Sequence, residues 1–90
     1  MTFDSVESKI RAGAAIIDVR SPDEYDEGHY KNARNIPVDS LPNRLDEIGA
    51  RDAPVVVYCA SGGRSAVATM ILKSRGFTDV TNAGGIDEMP

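Results

Sequence analysis

One cysteine and one histidine occur among the 90 residues. A single thiol excludes an intramolecular disulfide framework and a Cys-x-x-Cys redox pair, and suits a reducing compartment. With one imidazole besides, too few soft ligands exist for a closed zinc site, so neither a metal nor a cofactor is expected. No run approaches the roughly 18 apolar residues of a membrane span. The opening M-T-F-D-S-V-E-S-K also lacks the basic and apolar regions of a secretory leader. A soluble, cytoplasmic protein with no membrane partner is expected, unless a targeting segment or C-terminal tail lies outside this sequence. Basic residues are in the minority, and the net charge of −4 speaks against a nucleic-acid partner. An anionic substrate would have to be attracted locally, against the overall field.

What the chain does have is ordinary globular composition, 41 % hydrophobic and 27 % charged, at a length that suits one domain over residues 1–90. Short apolar runs alternate with helical patterns, the signature of a parallel α/β sheet. Strands are expected at Ala14–Val19, Ala33–Ile36, Val55–Tyr58 and Val80–Asn82, with Thr2 and Phe3 as a possible short edge. Val55–Tyr58 is the most β-branched and suits the centre of the sheet. Between the strands, helices are expected at Asp4–Ala12, from the capping box Ser21-Pro22-Asp23-Glu24, at Ser40–Ile48 and at Ser65–Arg75.

The stretch V-V-V-Y-C-A-S-G-G-R-S carries the chemistry. Ligands of open α/β sheets bind beyond the carboxyl ends of the strands, and Cys59 stands immediately after one. The loop Cys59–Arg64 leads into a helix, so its N–H groups can form a nest backed by the positive helix end, with Arg64 adding a fixed charge. Each of these stabilises a thiolate. A lone cysteine ordinarily packs as a small apolar residue. That role has no use for Gly62, Gly63 and a cation within five positions, so Cys59 is read as a nucleophile.

Other phosphate and acyl loops fail on spacing. No lysine follows Gly62 or Gly63 as a Walker loop requires, and Ser61 lacks the G-x-S-x-G frame. A cysteine phosphatase places five residues between cysteine and arginine. Here four stand between Cys59 and Arg64, a tighter ring that suits one sulfur better than a phosphoryl group.

Three segments give the chain its resemblance to the single-domain rhodaneses, most of all to the short phage-shock-type members. They are D-V-R-S-P-D-E-Y-D-E-G-H-Y-K-N-A-R-N-I-P, the loop C-A-S-G-G-R-S, and N-A-G-G-I near the end. The resemblance implies a three-layer α/β/α fold with a small, mainly parallel sheet of four to five strands. It also implies a thiosulfate sulfurtransferase acting through a persulfide on Cys59. A small anionic sulfur donor would load the cysteine, and cyanide in the assay, or a thiol or protein in the cell, would accept the sulfur. The loop N–H groups from Ala60 through Ser61, Gly62 and Gly63 to Ser65 would hold the persulfide anion, and Arg64 the sulfonate end of the donor. Ser61 and Ser65 hydroxyls are candidates for further hydrogen bonds, Ser65 equally for capping the helix. Arg20, with Asp18, is assigned a supporting role in ordering the neighbourhood of the active loop and is counted with the substrate-binding residues; a local salt bridge from Arg20 to Glu24 is the alternative. His29 is read as structural, and Asp23, Glu24, Asp26 and Glu27 as a solvated helix face. Tyr30, Asn32 and Met89 depart from the family pattern, which suggests a less well packed C-terminal edge. The alternatives are a non-catalytic rhodanese-like binding module and, behind it, a cysteine phosphatase or arsenate reductase. The physiological donor and acceptor and the oligomeric state are not legible in these residues.

Overall fold

A computed structural model describes residues 2–90. In chain order they form α1 (Thr2–Arg11), β1 (Ala15–Asp18), α2 (Pro22–Glu27), β2 (Arg34–Asn35), β3 (Val55–Cys59), α3 (Gly63–Ser74) and β4 (Val80–Gly85). Single 3-10 turns lie at Leu41–Asn43, Leu45–Glu47 and Ile86–Glu88. The four strands pair in parallel in the order β2-β1-β3-β4. This is the three-layer α/β architecture expected, with four strands and not five. Thr2 and Phe3 belong to the first turn of α1, so no edge strand forms there.

Strand alternation divides the core. Val55, Val57 and Cys59 point to the face covered by α3 and the first two 3-10 turns, with Leu41, Leu45, Ala68 and Leu72 against them. Val56 and Tyr58 point to the other face, against Val6 of α1, Ala14 and Ala83. All five β3 residues are buried, as suits a central strand of a doubly covered sheet. One fully covered aliphatic side chain is worth roughly 1.5–3 kcal/mol, so this strand anchors both layers.

The segment read as a helix over Ser40–Ile48 is instead two successive 3-10 turns. Its backbone bonds run three residues back, Arg44 N–H to the Leu41 carbonyl and Ile48 N–H to the Leu45 carbonyl, both 3.1 Å. Pro42 brings no N–H, and Arg44 at φ −129° breaks the helical path between the turns. The apolar spacing was nonetheless informative, since Leu41, Leu45 and Ile48 are all buried.

At the C-terminal edge the β3–β4 register slips by one residue: Val57 pairs with Asn82, but Tyr58 pairs with Gly84. Gly84 absorbs the bulge at φ +86°. Asn32, which departs from the expected glycine, sits at φ +67°, a conformation that asparagine tolerates better than most side chains. Tyr30 and Met89 pack against the Val56/Tyr58 cluster, and the Tyr30 hydroxyl donates to the Pro90 carbonyl at 3.0 Å. The C-terminal edge is therefore packed, contrary to the expectation from its departures.

Candidate active site

The chain leaves β1 toward one edge of the sheet and returns past it to β3, so the carboxyl ends of β1 and β3 flank the switch point. Cys59 ends β3 there. Its Sγ accepts the Gly62 N–H at 3.0 Å and the Ser65 N–H at 3.3 Å, and lies 3.5 Å from the Ser65 hydroxyl. Gly62 reaches this arrangement at φ +104°, as the residue preceding the first turn of α3. Burial raises the Cys59 pKa, but the Ser65 hydroxyl and the N–H groups of Ser65, Gly62 and Ser61 outweigh it, leaving the thiol more acidic than usual. The sulfur is closed to solvent. Cys59 exposes 0 % of its surface, because the loop closes around it, while Ala60 and Ser61 above it are exposed.

Ser65 is the third residue of α3, and its hydroxyl caps nothing. It faces the sulfur and the carbonyls of Gly62 and Gly84, at 3.1 and 3.4 Å. This settles its orientation toward the thiol. Small thiol reagents should report the acidity directly. The alkylation rate of Cys59 by iodoacetamide should reach half its plateau at a lower pH than N-acetylcysteine measured alongside. Ser65→Ala should move that midpoint up; a wild-type midpoint at or above the free thiol would contradict the geometry.

The paired glycines after Ala83 support this loop from below. A Cβ on Gly85 would stand 2.5 Å from the Ala60 carbonyl oxygen, which is backbone and cannot swing aside. Gly85→Ala should therefore displace the Cys59 loop and destabilise the fold by about 1–3 kcal/mol. A urea midpoint and an alkylation profile both identical to wild type would show that the contact does not matter.

Arg64 lies at the start of α3, with its guanidinium turned to α2. Its two terminal nitrogens donate to separate oxygens of Glu24, at 2.7 and 3.0 Å. Glu24 closes the Ser21 capping box as well, accepting the Ser21 N–H at 3.0 Å. The Arg64 guanidinium, followed by the Ser21 N–H, holds the Glu24 carboxyl at about 2, against an ordinary 4.5. Its contribution to stability is thus complete above 4.5 and is lost as the pH falls toward 2, so the ion pair is intact at neutral pH. Glu24 is not part of a solvated face, although Asp23, Asp26 and Glu27 are exposed. Only its capping role was legible in the sequence; its pairing with Arg64 was not. The capping box put a carboxylate at the head of α2, and the strand order brings that head to the end of the sheet where the loop lies.

Arg20 makes no ion pair with Glu24. It is buried, donates to both oxygens of Asp18 at 2.7–3.1 Å, and reaches the Gly28 carbonyl at 2.7 Å. Asp18, fully buried, also accepts the Tyr58 hydroxyl at 2.8 Å, and that hydroxyl accepts the Tyr30 N–H at 2.9 Å. Burial pushes the Tyr58 phenol up to about 12, so it stays a donor to Asp18. This network ties β1 to β3 at Tyr58, the residue before Cys59, on the sheet face opposite the sulfur. His29 is exposed and stacks on Tyr25 with ring centroids 3.7 Å apart, away from the thiol's hydrogen-bond partners.

A cleft of about 660 Å³ opens beside the loop, with Ser61, Gly63 and Arg64 in its wall. Among the described residues no cluster of metal-ligating side chains occurs, and no helix is long and apolar enough to cross a membrane.

Sequence comparison matches residues 2–89 to the rhodanese-like domain. The Bacillus subtilis protein YqhL is 43 % identical over 82 residues, covering 88 % of this chain and 64 % of its own length. The chain thus spans less than two thirds of that relative. The Escherichia coli thiosulfate sulfurtransferase PspE is 38 % identical over 74 residues, 81 % of this chain and 71 % of its own. Among solved structures, the human single-domain sulfurtransferase TSTD1 superposes with a TM-score of 0.85 at 30 % identity, covering 94 % of this chain and 88 % of that one.

Proposed function

The chain belongs to the rhodanese-like domain family, and from that premise we propose that it is a sulfurtransferase working through a persulfide on Cys59. The observation that carries this reading is the Cys59 sulfur itself, enclosed by the Gly62 and Ser65 N–H groups and the Ser65 hydroxyl. Such donors favour an anion on sulfur and are in place before the reaction begins. The Cys59 thiolate attacks the outer sulfur of a donor such as thiosulfate. The S–S bond breaks, sulfite leaves with the electron pair, and Cys59 keeps a persulfide anion. A thiophilic acceptor (cyanide in the assay, a thiol or protein in the cell) then removes the outer sulfur.

In this reading Ala60, Ser61, Gly62, Gly63 and Ser65 form the cradle, and the donor enters from the Ser61–Arg64 side, where the cleft lies. Arg64 stands at the entrance, paired with Glu24. Arg20 acts at one remove, through the Asp18–Tyr58 network that fixes the strand end preceding Cys59. A reducing, cytoplasmic setting fits the single thiol.

The test is direct. After incubation with thiosulfate, the intact mass of the protein should rise by one sulfur, located on Cys59, and cyanide should discharge it as thiocyanate. A chain that gains no sulfur would be a binding module. Cys59-dependent hydrolysis of an aryl phosphate would instead support a phosphatase.

A further inference from the structure

Sulfur transfer alone does not account for the place of Glu24. Its carboxylate is fixed by the Ser21 N–H and hydroxyl, both at 3.0 Å, and so cannot readily leave Arg64. The guanidinium at the cleft is therefore neutralised by a partner that is part of the fold. The two side chains are 39 % and 34 % exposed, so the pair stands at the surface an incoming anion must cross. Asp39 also lines the cleft. Counting Arg64, Glu24 and Asp39 together, the entrance carries a formal charge of about −1, on a chain whose own charge is −4. A dianion such as thiosulfate meets repulsion and must compete with Glu24 for Arg64.

The rest of the cleft is apolar. Val38, Pro42, Val67 and Ile71 form its wall, and Val67 is 50 % exposed, uncovered by any other element. This wall begins where the loop residues Ser61 and Gly63 end. A donor with an organic substituent could lay it there while presenting its outer sulfur to the loop.

We propose that Glu24 is a specificity-determining residue that disfavours dianionic donors, and that the site selects a monoanionic sulfane-sulfur donor whose apolar substituent lies along Val38, Pro42, Val67 and Ile71. The proposal rests on the sulfur-transfer reading above and names its donor class. With an organic thiosulfonate, R–SO2–S⁻, the Cys59 thiolate attacks the outer sulfur and the S–S bond breaks. The sulfinate R–SO2⁻ leaves with the electron pair, and Cys59 holds the persulfide anion. Atoms and charge balance, and no proton or oxidant is needed.

Three donors separate charge from apolar contact: thiosulfate, methanethiosulfonate and benzenethiosulfonate, each with cyanide as acceptor. In wild type the KM for benzenethiosulfonate should be at least about tenfold below that for thiosulfate. Glu24→Gln keeps an acceptor for the capping box. It should lower the thiosulfate KM about tenfold with kcat little changed, and alter either thiosulfonate less than about threefold. Val67→Asp, on an exposed helix face, should raise the KM for benzenethiosulfonate about fivefold or more relative to methanethiosulfonate. The proposal is overturned if thiosulfate has the lowest KM in wild type, or if Glu24→Gln leaves the ratio of thiosulfate to thiosulfonate KM unchanged. If none of the three donors places sulfur on Cys59, the sulfur-transfer reading falls, and this inference with it. Intact mass tells that failure apart from a failure of selectivity.

Discussion

Cys59→Ala should abolish sulfur transfer, lowering kcat by at least about a thousandfold, because no other group near the loop can carry the covalent sulfur. Among the described residues Cys59 is the sole thiol, and the Ser65 hydroxyl beside it lacks the acidity to act as a nucleophile without a base. The change removes a single buried sulfur, so the fold should persist. A melting transition like that of wild type, together with no mass gain from thiosulfate and no thiocyanate, is the expected pair of results. Residual transfer above about one part in a thousand would mean that the persulfide forms elsewhere or that no covalent intermediate exists. Cys59→Ser would sharpen the test, since its oxygen can still accept the Gly62 and Ser65 N–H groups while losing the soft nucleophile.

The largest effect on stability should come from Asp18→Ala. The Asp18 carboxylate is fully buried and accepts from the Arg20 N–H, the Arg20 guanidinium and the Tyr58 hydroxyl. Its removal leaves a guanidinium that is only 8 % exposed without a counter-charge, which costs about 3–5 kcal/mol. A domain of this size has a total stability of roughly 5–10 kcal/mol, so the variant would be close to unfolding. The urea midpoint should fall accordingly. Removing Arg20 as well should cost less than the sum of the two single changes by about 1 kcal/mol or more, because the unpaired charge is gone. Strict additivity would show that the pair is not coupled. The same network fastens the end of β1 to Tyr58, the residue before Cys59, so Asp18→Asn, which keeps the shape, should slow sulfur loading even where the protein remains folded.

These two effects differ in how far they could be foreseen. The candidate thiol and its setting were legible because they are local: strand, turn and helix start lie within Val55–Ser74, and a nest of N–H groups follows from six consecutive residues. The capping box at Ser21 was legible for the same reason. The strands were legible from β-branched runs, and the parallel sheet from their alternation with helical segments. The two 3-10 turns over Leu41–Glu47 were not. Apolar spacing reports which side chains face the core, and it is nearly the same for a helix and for two short turns. The partners of Arg20, Arg64, Glu24 and Asp18 were not legible either, since a charge on a loop gives no sign of which opposite charge the fold will bring to it.

By itself, then, the sequence determined the setting of the thiol: a single cysteine, on a strand-to-helix loop one residue shorter than a phosphate-binding ring. It determined the layered α/β frame too, because both follow from patterns within a few residues of each other. Only the tertiary structure decided the electrostatics of the entrance. Glu24 lies 40 residues before Arg64, and no local pattern joins them. The strand order β2-β1-β3-β4 places the ends of β1 and β3 side by side, and with them the head of α2 against the start of α3. The charge that was expected to greet an anionic donor is thereby already engaged, and the loop's chemistry is left to an entrance that is acidic and apolar.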